Sequence, residues 1–182
     1  MPVCFTTPSR RDFLKTAAIA GMSVLVQRTG FADWGAAGAN PNRFVLLSDT
    51  HIDRDPDKVV RDVNMADNLY QAISESLGVE PRASAMILCG DCVIRPARSG
   101  DYRQLAELLQ PVKETRLPMH LLMGNHDNRD LALQAFADQQ SDAPPVEGRL
   151  IHIIESPHVT WVMLDSLYEL NTTPGKVGQA QL

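Results

Sequence analysis

From Arg43 to Leu164 the chain alternates short apolar runs with longer stretches whose apolar residues recur every three or four positions. Arg43 to Ser48 reads Arg-Phe-Val-Leu-Leu-Ser, a compact run that predicts a buried strand. From Lys58 to Val79, apolar residues at Val59, Val63, Leu69, Ile73 and Leu77 keep helical spacing and predict a helix. Ala85 to Cys89 predicts a second strand, ended by Gly90. Asp101 is a capping residue type ahead of Leu105, Leu108 and Leu109, so a helix is expected there, stopping near Pro111. Met119 to Met123 predicts a third strand and Arg129 to Asp138 a short helix. Arg149 to Ile154 and Val159 to Leu164 predict a hairpin across Glu155-Ser156-Pro157-His158. Strands separated by helical segments imply βαβ units, hence an α/β fold with a largely parallel sheet.

The first 39 residues follow a different pattern. Ser9-Arg10-Arg11-Asp12-Phe13-Leu14-Lys15 precedes a mildly apolar stretch, Thr16 to Val26, and then a Gly/Ala-rich segment with Ala37-Gly38-Ala39. A charged start, an apolar middle and a small-x-small end describe an export signal. The paired arginines resemble a twin-arginine signal, which implies the twin-arginine export machinery as a partner and a periplasmic or extracellular location. Gly21, Gly30 and Gly35 argue against one long amphipathic helix here. The expected division is therefore residues 1–39 as signal and 40–182 as one domain.

Composition narrows the partners. The chain has 182 residues, of which 44% are hydrophobic and 21% charged, the balance of a globular protein and not of a disordered one. Its formal net charge of -5 offers no basic footprint for duplex nucleic acid. No apolar run approaches the roughly 20 residues of a stable membrane span. Three cysteines are too few for a disulfide scaffold.

The chemistry gathers where the strands end. In open α/β sheets, ligands bind beyond the carboxyl ends of the strands. The first strand runs into Asp49-Thr50-His51, the second into Gly90-Asp91, and the third into Gly124-Asn125-His126-Asp127. Carboxylate and imidazole suit Zn, Mn and Fe, and an amide oxygen can fill a further position. Asp49 and His51, two apart on an extended strand, fall on one side and can grip one ion. Asp91 can bridge two ions with its two oxygens, a pair that polarises a phosphoryl group and acidifies water.

Those three motifs, in that order and spacing, resemble the calcineurin-like metallophosphoesterase family. Leu47-Ser48-Asp49-Thr50-His51 and Gly100-Asp101-Tyr102 are similar to its cyclic-nucleotide phosphodiesterase branch. The resemblance implies a β-sandwich flanked by helices in four layers, αββα, and metal-dependent hydrolysis of phosphate esters, phosphodiesters in particular. It implies two transition-metal ions, Fe, Mn or Zn, and a small-molecule phosphate ester as substrate. Carried over by position, Asp49 and His51 hold the first metal, Asp91 bridges, and Asn125 binds the second. His126 sits beside the phosphate as the catalytic residue, a proton donor or transition-state stabiliser. Asp127 is read as support for the loop.

The chain also departs from that pattern. Ile94 stands where many members carry an Asp that pairs with the catalytic His. After His126 only His152 and His158 remain, without the Gly-His-x-His context of the family's closing ligands. Both, like His120, are read as structural or exposed. Gly175 to Leu182 resembles the approach to a family helix and stops about one turn into it. The expectation is a truncated form lacking the C-terminal portion, with an incomplete site and poor activity on its own. Two other classes stay open: a non-catalytic remnant that binds metal or a partner, and a thiol redox protein built on Cys89-Gly90-Asp91-Cys92. The acidic residues Asp53, Asp55 and Asp57 lack the Gly and Glu of a calcium loop and read as a solvated turn.

Overall fold

The computed structural model describes residues 39–139 and 144–182, so the expected export signal, except its last residue, lies outside them. Strands β1 (Asn40–Leu47), β4 (Ala83–Cys89) and β5 (Met119–Leu122) form one parallel sheet in the order β1-β4-β5. Register is set by apolar pairs, Leu47 opposite Leu88 and Leu88 opposite Leu121. The central strand is buried on both faces, which is why Ala85 to Leu88 reads as an unbroken apolar run. Alternate residues then serve different cores. Met86 and Leu88 pack with Leu69, Ile73, Tyr102, Leu105 and Phe136 of the helical side. Ala85 and Ile87 pack with Ile154 and Met163 on the other side.

The helical side carries α1 (Met65–Gly78), α2 (Ser99–Leu108), α3 (Gln110–Glu114) and α4 (Arg129–Ala135). The opposite face is covered by the antiparallel hairpin β6 (His152–Glu155) and β7 (Thr160–Met163), with Trp161 tilted against Phe44 at 5.1 Å between ring centres. Helices, parallel sheet and hairpin make three layers among the described residues. None of the described helices is long and apolar enough to cross a membrane.

Several expectations need correction. The helix expected from Lys58 starts seven residues later. Val59–Val60 (β2) and Val63–Asn64 (β3) instead form a two-stranded ribbon. Its turn, Arg61-Asp62, takes left-handed φ of 53° and 63°, the two-residue hairpin geometry. Asn64 then caps α1, its side chain accepting from the Ala66 and Asp67 amides. Val59 and Val63 match helical spacing by coincidence, and Val59 is exposed. Asp101 is not the cap of α2, which begins at Ser99. It is buried in the first turn and reaches back to the Arg98 amide at 2.7 Å and across to the Arg54 amide at 2.9 Å. That helix ends at Leu108, three residues before Pro111 as expected, and Pro111 itself lies in the first turn of α3, where its missing N–H costs nothing. The helix expected to reach Asp138 ends at Ala135, and Ala137–Gln139 turns as a 3₁₀ segment. That turn swings Gln139 onto the free edge of β5, where its amide bonds the Leu121 N–H at 3.0 Å and the Met119 carbonyl at 2.9 Å. In the hairpin, Arg149 to Ile151 lie before β6 and outside the ladder.

Candidate metal centre

Beyond their carboxyl ends β1 and β4 stay side by side without remaining strands. The Asp49 amide donates to the Gly90 carbonyl at 3.1 Å, His51 to Asp91 at 3.0 Å and Ile52 to Cys92 at 3.1 Å. Along this stretch Asp49, His51 and Asp91 all have left-handed φ, at 54°, 46° and 48°. Non-glycine residues seldom sit there, and when they do the surrounding structure holds them at a cost of about 1–3 kcal/mol each. The sequence-based reason for pairing Asp49 with His51, alternation along an extended strand, is therefore wrong. The strand ends at Leu47, and it is the left-handed turns that aim these side chains.

Two glycines let the β4 and β5 loops meet. A Cβ on Gly90, itself at φ 84°, would lie 2.8 Å from the Gly124 nitrogen and 2.9 Å from its Cα. A Cβ on Gly124 would overlap the backbone nitrogen and carboxylate of Asp91. The bare backbones thus bring Asp91 against the loop that follows β5, where its Oδ1 accepts from the His126 amide at 3.0 Å.

Asp127 fastens the same loops from below. It is fully buried, and its carboxylate accepts from the amides of Cys92 at 3.0 Å, Val93 at 3.3 Å and Gly124 at 2.9 Å. The buried Tyr102 hydroxyl donates to it at 3.3 Å and accepts from the Asn128 amide at 2.7 Å. Burial pushes the Asp127 carboxyl above its ordinary value; the three amides pull it down without cancelling the rise. Burial likewise pushes the Tyr102 hydroxyl up, so it stays a donor.

Within this frame the ligand atoms of His51, Asp91 and His126 lie within 4.8 Å of one another. The two imidazole rings are 5.0 Å apart, and His126 Nδ1 is 3.8 Å from Asp91 Oδ2. That Nδ1 is buried and has no hydrogen-bond partner among the described residues. Asp49 stands at the edge of the group, 64% exposed, with Oδ1 3.8 Å from His51 Nε2 and the Ser48 hydroxyl on its other oxygen. Asn125 lies between Gly124 and His126, half-buried.

A comparison with family models matches residues 42–170 to the calcineurin-like phosphoesterase domain. The chain belongs to that family. A search of curated proteins found no match to it. Calcineurin-like phosphoesterases are metal-dependent hydrolases of phosphoric esters, and the His51, Asp91 and His126 group gives this member donors for a metal.

Other histidines and thiols are engaged elsewhere. His152 Nε2 lies 3.1 Å from the Leu121 carbonyl, its ring edge-on to His120 at 5.0 Å, and burial lowers both imidazoles, His120 to about 4. His158 lies in the exposed turn of the hairpin. Burial pushes the Cys89 and Cys92 thiols up, and Asp49 and Asp127 add to this, the reverse of what a nucleophilic pair requires. Asp53 and Asp55 cap their own turn through the Asp55 and Asp57 amides. Sequence reasoning missed the share of Tyr102 in the Asp127 network and the contact of Asn171 with Asn125. An aromatic three residues into a helix and an Asn in a distant loop carry no local signal of either.

Proposed function

We propose that the protein hydrolyses phosphate esters, phosphodiesters in particular, with two transition-metal ions drawn from Fe, Mn or Zn. The observation that carries this is the convergence of His51, Asp91 and His126 on a rim whose backbone is held in left-handed turns. The residues present fit such ions. Two imidazoles and a carboxylate suit these metals, and the buried Nδ1 of His126, without a hydrogen-bond partner among the described residues, is unclaimed by the protein and free to face a cation. Asp49 and His51 would hold one ion, Asp91 would bridge, and Asn125 would serve the second. When bound, such a pair supplies Lewis-acid polarisation of the phosphoryl group and acidifies water. The chain's own residues do the rest. His126 has Nδ1 turned toward Asp91, which leaves its Nε2 side to face the leaving oxygen as proton donor or transition-state stabiliser. Ile52 and Val93, both fully buried, pair just past the rim residues and anchor them to the helical-side core. Diester preference is supported by the Leu47 to His51 opening and by Gly100-Asp101-Tyr102. Export by the twin-arginine route is supported by Ser9 to Lys15, and an exported enzyme would meet extracellular esters.

The test is manganese calorimetry on the full chain beside assays with bis(p-nitrophenyl) phosphate and p-nitrophenyl phosphate. Manganese-dependent p-nitrophenol release, faster from the diester and lost in Asp91→Asn and on chelation, is expected. Binding without turnover would favour the second reading, a metal-binding protein, for which Ile94 in place of a carboxylate is the specific support. Neither heat nor turnover would overturn both.

A further inference from the structure

The segment after β7 folds back onto the rim. At its base, buried Asp165 accepts from Arg129 at 2.6 and 2.8 Å and from the Leu150 and Leu167 amides at 2.9 and 3.0 Å. Arg129 and Arg149 also donate to the Leu167 carbonyl, at 3.1 and 2.6 Å. The Lys176 amide donates to the Ser166 carbonyl at 2.8 Å, so the intervening residues form a closed loop. Gly175 permits this closure, since a Cβ there would lie 2.7 Å from the Ser166 oxygen. At the far side of the loop, Asn171 adopts φ 59° and donates its amide to the Asn125 carbonyl at 2.6 Å.

That carbonyl belongs to the peptide group joining Asn125 to His126. The N–H of the same peptide donates to Asp91 Oδ1 at 3.0 Å. One planar unit is thus held at both poles, by Asn171 on its oxygen and by Asp91 on its nitrogen. Fixing it fixes ψ of Asn125 and φ of His126, and a donor on the oxygen polarises the N–H toward the Asp91 carboxylate. We propose that Asn171 is a positioning residue: the 166–176 loop braces the Asn125-His126 peptide and through it sets the orientation of Asn125, His126 and Asp91. Asn is suited to the task because it tolerates left-handed φ better than other side-chain-bearing residues. The inference rests on the metal reading of that site for its functional meaning.

Two variants and one wild-type measurement test it. Asn171→Pro removes the donor and cannot take positive φ; Asn171→Gly keeps both. In the metal-free protein the His126 amide proton should move upfield in Asn171→Pro and stay in place in Asn171→Gly. Manganese affinity should fall about tenfold in the first and hold in the second, with thermal stability lowered in the first and little changed in the second. In the wild type the Asn171 amide should exchange with solvent far more slowly than that of Thr172. Equal exchange at the two positions, or an unmoved His126 resonance in a folded Asn171→Pro, overturns the brace. Absence of manganese binding in the wild type would instead count against the proposed function, and the resonance and exchange data would still decide the brace.

Discussion

Replacing Asp127 by Ala deletes a carboxylate that accepts from the buried amides of Cys92 and Val93, from the half-buried Gly124 amide and from the Tyr102 hydroxyl. Cys92, Val93 and Tyr102 are themselves buried, so these donors do not turn to bulk solvent once the carboxylate is gone. Each orphaned donor costs about 1–3 kcal/mol. Two effects reduce the total: the buried carboxyl was itself costly to desolvate, as its raised pKa records, and a water can enter the space left. The net expectation is a loss of about 3–4 kcal/mol, at the upper end of single substitutions. Asp127→Asn keeps the volume and one acceptor oxygen but turns an NH₂ toward an N–H, for a loss of about 1–2 kcal/mol. Urea unfolding followed by circular dichroism measures both, with an unchanged slope showing that the unfolded state is not the cause. Since the same carboxylate ties Gly124 to the Cys92 segment on either side of Asp91, manganese affinity should fall with stability across the two variants. An Asp127→Ala protein within about 0.5 kcal/mol of wild type, the range of an ordinary surface change, would refute the clasp.

Two further outcomes follow from the same geometry. Gly124→Ala should displace both the backbone nitrogen and the carboxylate of Asp91, which the new Cβ would overlap, so manganese binding and stability should fall together; titration and melting of one sample check it. His120 and His152 are held neutral where β5 meets the hairpin, with folded values below the ordinary 6.5 and His120 near 4. Their contribution is complete above about pH 6.5 and is lost as pH falls toward 4, because the unfolded chain takes up those protons first. Full enclosure would make the His120 share about 3 kcal/mol, and solvent access to a half-buried ring brings it to about 1–2 kcal/mol. His120→Leu should flatten the stability profile between pH 7 and 4; an unaltered profile sinks the assignment.

The sheet was legible because its central strand is enclosed on both faces, and Ala85 to Cys89 leaves an apolar run bounded by Gly90. The helices were legible where one face meets the core, as at Leu69, Ile73 and Leu105. What escaped was set by single polar side chains. Asn64, Asn128 and Gln139 end or start elements through hydrogen bonds, the last two to Leu131 and to the β5 edge, and hydrophobic spacing is blind to them. The β2–β3 ribbon escaped for the opposite reason: Val59 and Val63 keep helical spacing although Arg61 and Asp62 turn the chain.

The rim divides in the same way. Which residues would gather there could be read from three strand ends, since a parallel sheet delivers its carboxyl termini to one edge. How they are aimed could not. A strand continuing past Leu47 would keep alternating its side chains, whereas Asp49 and His51 are turned by left-handed φ and pinned to Gly90 and Asp91 by backbone bonds. Those conformations cost energy that the local sequence does not return, so the surroundings must supply it. Three features do: the bare contact of Gly90 with Gly124, the Asp127 carboxylate under Cys92 and Val93, and the Asn171 amide on the Asn125 carbonyl. All three join segments far apart in the chain. A site whose strain is carried by distant partners is fixed before a ligand arrives, and Asp127→Ala or Asn171→Pro should therefore weaken metal binding without removing a single metal-ligating atom.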